Sequence, residues 1–125
     1  MSEAVASEAP LTHLQSLLRT LLDDPVQTES VKQKTLLGTI ESWNIITVAS
    51  DSYKLTLHLY PDGRFRITTI VHLEEKELLK VLEQFEDLGF NVDIDVDRLI
   101  AVKNMCTVDI QIVRKVAQLL RGLKK

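Results

Sequence analysis

The stretch "YKLTLHLYPDGRFRITTIVHL" from Tyr53 to Leu73 constrains the fold most, because its two arms alternate about a single turn. Pro61 presets the first turn position, Asp62 can bond back to the chain, and Gly63 takes a left-handed conformation. If Tyr60 pairs with Arg64, then His58 faces Arg66, Thr56 faces Thr68 and Lys54 faces Ile70. Tyr53, Leu55, Leu57, Leu59, Phe65, Ile67, Thr69, Val71 and Leu73 then share the opposite face. That pattern requires an antiparallel sheet with one face buried and the other open.

Helical spacing appears on either side. Leu11, Leu14, Leu17, Leu18, Leu21 and Leu22 form a stripe that stops at Asp23-Asp24-Pro25. Leu78, Leu79, Leu82, Phe85 and Leu88 form a second, ended by Gly89, and Ile112, Val116, Leu119 and Leu123 a third, with Thr107 as the expected cap. "TLLGTIESWNIITVAS" reads as one strand, bent near Gly38, and the preceding "VQTESVKQK" as a polar connector. "FNVDIDVDRLIAVKN" reads as one long strand or two short ones. The expected fold is α+β: a small antiparallel sheet of three to five strands with N-terminal, middle and C-terminal helices. Residues 1–9 are expected to be disordered, with Pro10 in the opening turn of the first helix. A single domain is expected over 10–125, its C-terminal helix at 107–125.

Composition narrows the function classes. No apolar run approaches the roughly 18 residues needed to span a membrane, and no membrane partner is expected. The acidic start "MSEAVASEAP" has no signal-peptide character. Cys106 is the only cysteine, which fits a reducing cytoplasm, and it is expected to be a small buried hydrophobe. No nucleophile–base set, phosphate loop or acid/base carboxylate pair stands out, so no enzyme and no cofactor are expected. His58 and His72 lie about 20 Å apart in this register, too far to share a metal. Asp93, Asp95 and Asp97 lack the glycine and glutamate of a calcium loop and read as a charged edge strand.

The net charge of −3 hides blocks: residues 1–52 carry −4, 53–73 carry +2, 74–97 carry −7 and 98–125 carry +6. The acidic total argues against indiscriminate duplex binding, yet the hairpin's polar face is nearly free of acids. It holds Lys54, His58, Tyr60, Arg64, Arg66 and His72. Two readings of that face are open: an ordinary solvated surface, or a site where cations follow phosphates and rings stack on unpaired bases. Trp43, the sole tryptophan, belongs either to the core beneath a helix, the simpler reading, or to this face.

In order of elements, residues 10–125 resemble the ThermoDBP group of archaeal single-stranded-DNA-binding proteins. The resemblance rests on Trp43, the hairpin face and the stripe Ile112, Val116, Leu119 and Leu123. It implies unpaired DNA bound with its bases lodged against apolar or aromatic residues, and a homodimer through the last helix. From the residues themselves, single-stranded DNA or RNA is the expected partner, with Lys54, Arg64 and Arg66 on phosphates and Trp43, Tyr60 and His58 stacking on bases. The same order is also similar to the small acidic secretion chaperones if residues 91–103 form two strands. That resemblance implies a dimeric protein-interaction module for extended segments, without nucleic-acid binding.

Overall fold

The computed structural model describes residues 2–123. Its elements are α1 (Ser2–Leu21), β1 (Val26–Lys34), β2 (Ile40–Ala49), β3 (Tyr53–Leu59), β4 (Phe65–His72), α2 (Glu75–Asp87), β5 (Asn91–Asp95), β6 (Arg98–Met105) and α3 (Ile110–Leu123). The six strands form one antiparallel sheet in the order β1-β2-β3-β4-β6-β5. The class is α+β as expected, with one strand more than the upper bound of five.

The extra strand is β1. Its residues are exposed or half-buried throughout, so no alternation of apolar and polar residues marked "VQTESVKQK" as a strand. Gly38 accordingly sits in the turn of a β1–β2 hairpin, where Gly38 N–H donates to Thr35 O at 3.0 Å, rather than at a bend in one strand. Residues 91–105 make two strands, turning at Val96.

The β3–β4 register is the expected one, with His58 opposite Arg66, Thr56 opposite Thr68 and Lys54 opposite Ile70. Tyr60 and Arg64 close it, Tyr60 N–H donating to Arg64 O at 3.0 Å. One face carries the buried Ile46, Leu55, Leu57, Phe65, Ile67, Val71 and Leu99. These form one core with Leu14, Leu18 and Leu22 of the α1 segment, Leu78, Val81 and Phe85 of α2, and Val113, Val116, Ala117 and Leu120 of α3. All three helices therefore cover the same side of the sheet. Among the described residues no helix lies over the other side.

Polar contacts fix the edges of this layer. The Tyr53 hydroxyl donates to Asp24 at 2.6 Å, linking the end of α1 to β3, and Gln15 Nε2 donates to Thr28 Oγ1 of β1 at 2.6 Å. Burial, reinforced by the Asp24 carboxylate, pushes the Tyr53 hydroxyl above the ordinary tyrosine range. Asp109 caps α3, accepting from the amides of Gln111 and Ile112 at 3.0 and 3.2 Å, where Thr107 had been the expected cap. Helix α1 spans Ser2–Leu21, so Pro10 lies within it and not in its opening turn. Cys106 is exposed, just beyond the last β4–β6 pair, and is not the buried hydrophobe expected. No helix among the described residues is long and apolar enough to cross a membrane.

Candidate nucleic-acid interface

Strand pairing turns the uncovered face into rows that cross the sheet. Continuing the β2–β3 register by one residue sets Trp43 beside Tyr60, so one row runs Val31, Trp43, Tyr60, Arg64. About 7 Å along, the next runs Glu29, Ile45, His58, Arg66, Asn104. Trp43 is thus half-buried on the open face, and the simpler expectation of a core position is overturned. It faces this way because Ile46 and Val48 take the helix side of β2, which leaves Trp43, Ile45 and Thr47 on the other.

The rings touch. Trp43 and Tyr60 have centroids 5.8 Å apart at 38°, while His58 and Tyr60 lie 6.1 Å apart and nearly parallel, at 16°. The Arg64 guanidinium sits 5.1 Å from the Tyr60 centroid, a cation–π contact. Three aromatic side chains and one cation therefore form a continuous platform. Trp43 Nε1 and His58 Nδ1 are shielded from solvent and have no hydrogen-bond partner among the described residues.

Local pairing tempers the charge. Arg64 Nε donates to Asp62 Oδ2 at 2.6 Å. The Arg64 amide, also donating to Asp62, is the main reason that the Asp62 carboxyl is held below its usual range. Arg66 is oriented by a neutral partner instead, with Nε donating to Asn104 Oδ1 at 2.7 Å. Burial first, and the Arg66 charge second, push the His58 imidazole below the ordinary histidine range, so it is a neutral ring at pH 7.

Of the six residues expected at the site, Trp43, His58, Tyr60, Arg64 and Arg66 come together. Lys54 does not. It shares the face but lies opposite Ala49 and Ile70, six residues from Tyr60 along β3, or about 20 Å. His72 is farther still, opposite Arg98. Sequence reasoning missed Asn104, Val31 and Glu29, which reach this region only through strand pairings far apart in the chain. Asp93 and Asp95 also lie on the open face, at the distal edge, where Asp95 pairs with Arg98 at 3.1 Å. Among the described residues no three His, Cys, Asp or Glu side chains are grouped to hold a metal.

The expected dimerisation stripe is largely used within the chain. Val116 is fully buried in the core, and Ile112, Leu119 and Leu123 are partly buried against it.

The architecture is a two-layer α+β fold whose helices lie on one sheet face, with Trp43, His58, Tyr60, Arg64 and Arg66 gathered at one end of the other. No known protein family, curated protein or solved structure matches the chain.

Proposed function

We propose that the protein binds single-stranded nucleic acid across the rows that run from Arg66 and Arg64 over Tyr60 to Trp43. The observation that carries this reading is the joining of Trp43, Tyr60 and His58 into one surface beside two arginines. Bases stack on rings without regard to sequence, and guanidinium groups hold the phosphates between them. Neutral His58 extends the platform without adding charge. A labelled oligonucleotide titration that follows Trp43 emission tests it, since no other tryptophan contributes. Binding should quench Trp43, and Tyr60→Ala should weaken affinity by about 1–3 kcal/mol, one stacked base. Unchanged emission and no binding at low salt would reject the reading.

A second reading has its own support. Residues 91–105 form two strands between α2 and α3, as in the chaperone-like order of elements, although four strands rather than three precede α2. The same face also carries half-buried Ile45, Ile70, Ile100 and Val102 beside its polar residues. A dimeric module holding an extended polypeptide segment on this sheet would answer to a peptide and leave the oligonucleotide titration flat.

A further inference from the structure

Two hairpins of this fold close in the same way. In the β3–β4 turn, Tyr60 N–H donates to Arg64 O at 3.0 Å, Gly63 N–H donates to Tyr60 O at 3.1 Å, and Gly63 has φ +94°. In the β1–β2 turn, Thr35 N–H donates to Thr39 O at 2.8 Å, Gly38 N–H donates to Thr35 O at 3.0 Å, and Gly38 has φ +85°. Each is a tight turn closed by a left-handed glycine. Their central residues differ: Pro61-Asp62 in one, Leu36-Leu37 in the other. Proline and aspartate suit such a turn for local reasons, whereas leucine has none. Leu36 is 106 % exposed, Leu37 91 % and nearby Ile40 72 %. A single exposed aliphatic is ordinary, but three on one tip call for something outside the chain.

The tip stands on a free ribbon. Strand β2 pairs with β3 only as far as Asn44, opposite Leu59, while β1 and β2 pair on through Val31–Trp43, Lys32–Ser42, Gln33–Glu41 and Lys34–Ile40. The three rungs beyond Trp43 project about 10 Å past the row that joins it to Tyr60. The ribbon springs from the aromatic row itself, since Trp43 is its base. Val31, Gln33, Glu41 and Trp43 continue the open face, and Lys32, Lys34, Ile40 and Ser42 take the other side. The ribbon therefore offers rings at its root on one side, cations without an acid on the other, and an apolar point between them.

We infer that the ribbon is a strand-separating pin, which directs the protein to junctions where a single strand meets a duplex. Leu36 and Leu37 stack on the last base pair, as aliphatic wedges do between base steps. One strand passes down the open face to Trp43 and Tyr60. Its complement passes behind, with its phosphates along Lys32 and Lys34. The inference rests on the single-strand reading above and adds the substrate's form to it.

Three labelled DNA oligonucleotides test it: a single strand, a fork with two unpaired arms, and a blunt duplex, with 2-aminopurine in the first pair of the fork. Wild type should prefer the fork to the single strand by roughly tenfold, about 1.4 kcal/mol, and 2-aminopurine emission should rise. Leu36→Pro with Leu37→Asp installs the central residues of the other turn. It should keep single-strand affinity while losing both the fork preference and the emission change. Leu36→Ser with Leu37→Asn gives the same reading if the first pair folds poorly. Lys32→Ala with Lys34→Ala should weaken fork binding alone. Equal affinity for fork and single strand with silent 2-aminopurine would overturn the pin and leave the single-strand reading standing. Failure to bind any oligonucleotide would overturn both. If the tip variant instead dissociates an oligomer, the leucines seat in a second copy and the pin is wrong.

Discussion

His58 shows how one side chain couples stability to binding. Packed beside Tyr60 and opposite Arg66, it is held below the ordinary histidine range by burial first and by the arginine second. The folded ring gives up its proton more readily than the same ring in the unfolded chain. Between the lowered folded value and the ordinary one near 6.5, the unfolded state therefore binds more protons, and stability rises with pH. The contribution is fully present above that ordinary value and is lost as pH falls through the folded one. His58→Gln should flatten the decline in urea midpoint that wild type shows on acidification below about pH 6.5. Identical declines in the two proteins would mean that the ring does not titrate differently on folding. Oligonucleotide binding should respond in the opposite sense to stability, because a protonated His58 adds a cation to the platform.

At the scale of elements, the two hairpins use one turn for different ends. A Cβ at Gly63 would meet only Cys106 O at 3.9 Å, and one at Gly38 would meet nothing within 4 Å. The cost of alanine at either site is therefore the left-handed backbone alone, about 1–2 kcal/mol. Gly63 closes strands that carry core residues, so Gly63→Ala should lower global stability by that amount. Gly38 closes a ribbon with no core beneath it. Gly38→Ala should speed amide exchange at Thr35 and at residue 38 itself, the two amides that close the turn, yet move the denaturant midpoint by no more than about 0.5 kcal/mol. Equal shifts in the midpoint would show that the ribbon unfolds only with the sheet. The same contrast explains which strands the sequence revealed. β3 and β4 alternate because one face is buried, and their register follows from Pro61-Asp62-Gly63. β1 is an edge strand with only Val26 and Val31 half-buried, so burial left no periodic trace in it.

For the whole molecule, the helix layer decides what the strands alone could not. Alternation sorted each strand into two sets, but only the placement of all three helices on the side of Ile46 and Phe65 put Trp43 with Tyr60. Stability and binding should divide along that plane. Phe65→Ala, emptying the buried face, should cost about 3–5 kcal/mol, whereas Arg64→Ala, its neighbour on the other face, should unfold within about 0.5 kcal/mol of wild type. The arginines should appear in the salt dependence instead. Each phosphate contact on a single strand contributes about 0.7 to the slope of log affinity against log salt. Arg64→Ala with Arg66→Ala should make the slope shallower by about 1.4 if both reach phosphates. Arg66, paired only with neutral Asn104, should carry its full share. Arg64 shares its charge with Asp62, so Asp62→Asn should steepen the slope and tighten binding by releasing it. Titrations at four salt concentrations measure all three proteins. A slope that none of these substitutions moves would mean that phosphates do not reach this end of the sheet, leaving the rings without the electrostatic half of a nucleic-acid site.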